Sequence, residues 1–116
     1  MDWEIIYTDE FGEWLNSLSK AEKIAVYHTV ELLEKFGIYL GFPYSSKISG
    51  SKHNMRELRS QCKGRPLRTF YAFSPERNAI LLIGGDKTGN DRFYEVMIPK
   101  ADKIYDDYLK ERRNKK

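Results

Sequence analysis

Between Met55 and Gly84 three runs of strand-forming residues follow one another with only short turn sequences between them, and no other feature restricts the fold as tightly. Met55–Gln61 alternates apolar and charged residues, Pro66–Ser74 is crowded with aromatic rings, and Ala79–Gly84 is almost wholly aliphatic. β-Branched and aromatic side chains suit a pleated surface buried on at least one face. Cys62-Lys63-Gly64 and the stretch Ser74–Asn78, which contains Pro75, carry turn chemistry. Connections this short join antiparallel neighbours, because parallel strands need a long crossover. The segment therefore predicts a three-stranded meander with Ile80-Leu81-Leu82-Ile83 as its most buried strand.

Ahead of the meander, Ile5-Ile6-Tyr7 reads as a short strand, and Thr8-Asp9 suits a helix N-cap. Phe11, Trp14, Leu15 and Leu18 recur at spacings of three and four, one face of a short helix. Ser19 with Glu22 makes a capping box that opens a second helix. Its apolar side is expected to carry Ile24, Ala25, Leu32, Leu33 and Phe36, with His28 semi-buried among them, until Gly37 stops it. Ile38–Gly50 reads as a surface loop. Beyond the meander, G-G-D-K-T-G-N-D-R is a loop, and Asn90 or Asp91 begins a last helix. Its buried face takes Tyr94, Met97, Ile98, Ala101, Tyr105, Tyr108 and Leu109. Pro99 must kink or restart that helix, and R-R-N-K-K reads as a frayed basic tail. The expected order is β-α-α-β-β-β-α: an α+β fold, its antiparallel sheet packed against an N-terminal helical hairpin and a C-terminal helix. Residues 1–116 suffice for one domain.

Hydrophobic residues at 41% against 32% charged describe a folding globular chain. One cysteine excludes an internal disulfide, and two histidines are too few for a usual zinc site, so neither metal nor other cofactor is expected. The acidic start lacks the character of a signal peptide, and no apolar run approaches the roughly 20 residues that span a bilayer. A cytoplasmic protein without membrane contact is the expectation. The charge of +3 divides into −5 for residues 1–46, +6 for 47–92 and +2 for 93–116. The middle third is where a polyanion would dock. On charge alone, a solvated basic surface is an equal reading.

Strand alternation sharpens the choice. In M-R-E-L-R it turns Leu58 toward the core and Glu57 with Arg59 to the other side. In R-P-L-R-T-F-Y-A-F it separates Leu67, Thr69, Tyr71 and Phe73 from Arg68, Phe70 and Ala72. If the first set packs on the helices, Arg68 joins Glu57 and Arg59 on an open face. Such a group is either a buttressing salt bridge or a carboxylate base held among cations. The next loop adds Asp86, Lys87, Asp91, Arg92 and Tyr94 beside a helix N-terminus, whose free amides favour a phosphate. Metal-free RNA cleavage needs a base for the 2′-hydroxyl proton, cations for the phosphorane and an acid for the departing 5′-oxygen. These residue types cover all three roles. The spacing in G-G-D-K-T-G-N is wrong for a P-loop, which excludes a nucleotide triphosphatase.

Lys47 and Lys52 read as phosphate-positioning groups, and Arg56, Lys63 and Arg65 continue the basic segment along an RNA backbone. His53 is either an auxiliary acid or base at the entry to the Glu57 strand or a polar loop residue. Phe70 either stacks on an unpaired base or packs in the core.

Taken in series, M-R-E-L-R, R-P-L-R-T-F-Y-A-F and I-L-L-I-G-G-D-K-T-G-N-D-R-F-Y-E, behind a helical hairpin, resemble the RelE/ParE superfamily of type II toxins, most closely its HigB-like branch. The resemblance covers essentially the whole chain. It implies a ribosome-dependent mRNA endonuclease that inhibits translation, uses no cofactor and is neutralised by a cognate antitoxin, commonly a helix-turn-helix protein in HigB-like relatives. It implies that Arg68 holds the scissile phosphate and that Glu57 and Arg59 fill the carboxylate or cationic positions of the preceding strand. Lys87 matches the basic position after the glycine-ended strand, and Tyr94 or Phe93 the aromatic near the start of the last helix, with Arg92 beside them. No histidine lies there, so Tyr94 takes the role of general acid, with Asp86 or Asp91 in reserve. Two alternatives remain: a ParE-like inhibitor of DNA gyrase, a class that generally lacks these clustered residues, and a non-catalytic nucleic-acid-binding module.

Overall fold

The computed structural model describes residues 2–114. Strand β1 (Glu4–Tyr7) leads into helices α1 (Asp9–Asn16) and α2 (Lys20–Phe36), followed by a single 3₁₀ turn over Gly37–Tyr39. Strands β2 (Ser45–Lys47), β3 (Met55–Cys62), β4 (Arg65–Phe73) and β5 (Asn78–Asp86) come next, then helix α3 (Phe93–Asn114).

Local chemistry sets the helix starts. The Thr8 hydroxyl accepts from the Phe11 amide at 3.1 Å and lies 2.8 and 2.7 Å from the Leu81 and Leu82 carbonyls, so one side chain caps α1 and ties it to β5. Ser19 Oγ accepts from the Glu22 amide and Glu22 Oε1 from the Ser19 amide, closing the box that opens α2. Caps of this kind are each worth about 1 kcal/mol. Gly37 ends α2 with φ of +54°, and a Cβ there would lie 1.9 Å from the Trp3 indole nitrogen.

The sheet order is β1-β5-β4-β3-β2. β3, β4 and β5 form the expected antiparallel meander, but β1 runs parallel to β5, so the sheet is mixed rather than wholly antiparallel. The long α1–α2 excursion between β1 and the meander permits that parallel return. β2 lies inside the stretch read from sequence as loop. It pairs with β3 over three residues, too few to show a period.

Both sheet faces are covered. Phe11, Leu15, Val26, Val30 and Leu33 pack on Leu58, Leu67, Tyr71 and Leu81, while Phe93, Ala101 and Tyr105 of α3 pack on Met55, Phe70, Ile80 and Leu82. The core-packed stripe of α2 overlaps the one expected only at Leu33 and partly buried Leu32. Val26, Thr29, Val30 and Leu33 are buried, whereas Ile24 is 59% exposed and Phe36 and His28 also face out. Apolar residues occur all round this helix, and only docking selects among their rows. α3 begins at Phe93 and continues through Pro99, which is exposed. Arg112 and Arg113 belong to the helix rather than to a frayed tail, and Arg112 pairs with Glu76. Lys115 and Lys116 fall outside the described residues.

Phe70 pairs with Ile83 and Tyr71 with Leu81, leaving Leu82 as an extra residue in β5. Such a bulge shifts alternation by one. Ile80 and Leu82 face α3, but Gly84 then turns to α1, where a Cβ would strike the Trp14 ring at 2.2 Å. Gly85 lies under Phe93 of α3, and Asp86 returns to the α1–α2 side. Among the described residues, no helix is long and apolar enough to cross a membrane.

Candidate active site

The β3–β4 register sets Glu57 opposite Phe70 and Arg59 opposite Arg68, all on the α3 side of the sheet. Glu57 Oε1 accepts from the Tyr94 hydroxyl at 2.7 Å and lies 3.6 Å from Arg68 Nε. Glu57 Oε2 accepts from Ser46 Oγ at 2.8 Å and from Arg59 Nη1 at 3.4 Å. The Lys87 ammonium stands 5.2 Å from the centre of the Tyr94 ring. Three strands, the β5–α3 loop and the start of α3 thus converge on one carboxylate. Lys47, Ile48, Ser49 and Ile98 border the opening through which Glu57 and Tyr94 are reached.

Glu57 is 4% and Arg68 3% exposed. Charges that deep persist only when paired and hydrogen-bonded. Glu57 meets that condition on both oxygens. Arg68 does not: Nη1 donates to the Leu67 carbonyl at 3.1 Å, but Nε has no hydrogen-bond partner. Leaving a buried charged donor unpaired costs about 1–3 kcal/mol or more. An anion reaching it would recover that cost. Burial pushes the Tyr94 phenol above its ordinary pKa, its hydrogen bond to Glu57 adds to this, and Arg68 opposes both in part. Tyr94 is therefore a protonated donor at neutral pH.

The face expected to be open is instead roofed by α3. Phe70 is fully buried and stacks on Phe93 with ring centres 5.9 Å apart, so it packs and cannot take a base. Arg56 points to the opposite side, its Nε donating to Ser45 Oγ at 3.0 Å. Arg65 also lies there and bridges Glu22 and Asp86. Although burial works to raise the Asp86 pKa, the Thr88 hydroxyl and amide and Arg65 together hold it below the usual carboxylate range. An ionised carboxylate in that bridge has no proton to give, which removes Asp86 as reserve acid. Lys52 and His53 are held by Asp106 at 2.5 and 2.8 Å, about 18 Å along α3 from Tyr94 at 1.5 Å per residue. Lys63 is exposed at the β3–β4 turn, Asp91 is exposed, and Arg92 is exposed and pairs with Glu95 at 2.7 Å. None of these touches the Glu57 cluster in the contacts described. Ser46, a direct partner of Glu57, escaped the sequence reading because β2 is so short. Among the described residues, no group of three or more His, Cys, Asp or Glu gathers as for a metal ion.

Residues 13–106 match the family model described as phage-derived protein Gp49-like. The chain is 39% identical over 107 residues to the candidate toxin HigB3 of Mycobacterium tuberculosis, covering 90% of this chain and 92% of that one. It is 36% identical over 104 residues to the candidate toxin HigB2 of the same organism, covering 87% of this chain but only 52% of HigB2, about half its length. Among solved structures, a free Escherichia coli RelE toxin with two arginine-to-alanine substitutions superposes with a TM-score of 0.60 at 9% identity, covering 84% of this chain and 96% of that chain. The archaeal RelE–RelB complex of Pyrococcus horikoshii gives 0.57 at 15% identity, covering 77% and 99%. These two share the fold, while the sequence matches carry the family. The chain belongs to the Gp49-like family and is a HigB-like type II toxin with the fold of the RelE toxins.

Proposed function

We propose that this toxin cleaves mRNA in the ribosomal decoding site by 2′-hydroxyl attack on the adjacent phosphorus. The 2′-oxygen–phosphorus bond forms as the bond to the 5′-oxygen breaks, leaving a 2′,3′-cyclic phosphate and a 5′-hydroxyl. The observation that carries this reading is the unpartnered Nε of buried Arg68 beside a protonated Tyr94. Arg68, with Arg59 and Lys87, would hold the phosphate and offset charge on the phosphorane. Tyr94 would protonate the leaving oxygen. Glu57 holds Tyr94 and the arginines in place, and its Oε1 is released to accept the 2′-hydroxyl proton when Tyr94 turns to the substrate. Lys47 borders the same opening and would steady the neighbouring phosphate.

The Glu57 cluster contains no histidine, so it lacks a side chain whose ordinary pKa is near neutrality. Free RNA should therefore be cut slowly, with the ribosome supplying orientation worth several kcal/mol. The chemistry requires no metal or other cofactor. The P. horikoshii neighbour was solved with RelB, and a cognate antitoxin, of helix-turn-helix type, is proposed here to block the opening. Co-expression of the adjacent reading frame should rescue growth. The decisive experiment maps mRNA ends in a cell-free translation system for wild type and Arg68→Ala. Codon-associated cuts ending in cyclic phosphate, reduced at least a hundredfold in the variant, are expected. Intact mRNA with inhibited gyrase supercoiling would overturn the proposal in favour of ParE-like action.

A further inference from the structure

Arg68 borders a cavity distinct from the opening at Glu57 and Tyr94. A cleft of about 320 Å³ lies between α2, the Pro43–Tyr44 segment and the part of β3 beyond the end of β2, where His28, Tyr44, Arg59 and Arg68 line it. The buried guanidinium whose Nε lacks a hydrogen-bond partner lines this cleft, while Glu57, 3.6 Å from that Nε, lines the Tyr94 opening. A phosphate bound there has a nucleotide on each side, and the second cleft is where one of them would go.

The rim of that cleft has the chemistry of an unpaired base. Phe42 is 78% exposed, and Tyr44 also stands out into solvent. The Arg59 guanidinium lies 5.3 Å from the centre of the Phe42 ring, and the His28 ring meets Tyr44 edge-on at 6.3 Å. Most of the Phe42 ring stays in contact with water in the free protein, so a base stacked on it would bury apolar surface. Exposed rings flanked by arginines match a stacking platform for single-stranded nucleic acid. Among the described residues no acidic side chain lines the cleft, so its charge favours a polyanion over a basic peptide.

We propose that Phe42 and Tyr44 form a stacking subsite for an unpaired nucleobase next to the phosphate held by Arg68. The inference rests on the ribonuclease reading above. It makes this loop, rather than the buried cluster, the part that senses which base flanks the cut.

The test maps cut sites and rates on translated mRNA for wild type, Phe42→Ala, the Phe42→Ala/Tyr44→Ala pair and Phe42→Trp, with antitoxin neutralisation assayed alongside. Loss of one stack should slow cleavage about tenfold and flatten the flanking-base preference, and Phe42→Trp should restore both. Wild-type cleavage matched in rate and base distribution by the double variant would overturn the subsite and leave the ribonuclease reading standing. The same holds if the tryptophan variant is as impaired as the alanine one, or if the double variant cuts normally but escapes the antitoxin, which would make the surface a protein contact. Intact mRNA with the wild type would remove both proposals together.

Discussion

Arg65 and Arg68 are three residues apart on one strand, and they show what separates a structural ion pair from a site. Arg65 is 51% exposed and paired on two sides: Nε and Nη2 donate to Asp86 at 2.8 and 2.5 Å, and Nη1 forms an ion pair with Glu22 at 2.7 Å. Arg68 is buried, and its Nε, 3.6 Å from Glu57, is ion-paired at a distance too long for a hydrogen bond and has no hydrogen-bond partner. In the first case all three guanidinium nitrogens face carboxylates and help hold α2, β4 and the end of β5 together. In the second, a desolvated cation is held without complete satisfaction, which costs stability and leaves binding capacity. Strand alternation alone assigns them to opposite faces, one toward the helical hairpin and one toward α3.

Four perturbations probe that contrast. Tyr94→Phe removes the acid and a Glu57 partner while preserving the ring, so cleavage in the translating system should fall about a hundredfold with the fold intact. An unchanged rate would show that another donor protonates the leaving oxygen. Glu57→Gln leaves Arg68 and Arg59 without their counter-charge, and chemical denaturation should show a loss of about 3 kcal/mol. If stability instead holds or rises, the buried charges are already compensated by other means.

Arg65→Ala should lower the melting temperature by a few degrees and leave cleavage at the wild-type rate, because surface pairs contribute little and this one faces away from the cluster. A strong loss of cleavage would erase the distinction between the two arginines. The smallest effect is in acid. The Ser19 amide and hydroxyl, helped by Arg65, hold Glu22 below its ordinary pKa despite burial, and Asp86 is held low as well. Both groups bind protons more readily unfolded than folded, so their stabilisation is complete above the unfolded carboxylate range, near pH 4–5. It is lost as pH falls through the depressed folded values. Melts from pH 7 to 3 should show that decline, shallower in Arg65→Ala. Equal slopes would exclude this bridge as its source.

Much of the fold was legible because it is specified locally. The Ser19–Glu22 box, the Thr8 cap and the Gly37 stop are short-range hydrogen-bonding and backbone requirements that act before any packing. The meander and the shared face of Glu57, Arg59 and Arg68 follow from a period of two and tight turns. β2 was not legible, since three residues carry no period, and with it went Ser46. The outward turn of Ile24 and Phe36 was hidden because an apolar residue does not announce which row of its helix will dock.

The residues by themselves determined which side chains could meet across β3 and β4, since covalent alternation holds in any pleated pair. Only the tertiary structure decided how dry that meeting place is and who is excluded from it. The docking of α3 converts an expected open face into a burial site for Phe70, Glu57 and Arg68. The extra Leu82 in β5 reverses alternation beyond it and sends Asp86 away to Arg65. Both outcomes depend on packing between segments distant in the chain, where burial energy rather than local preference selects the arrangement.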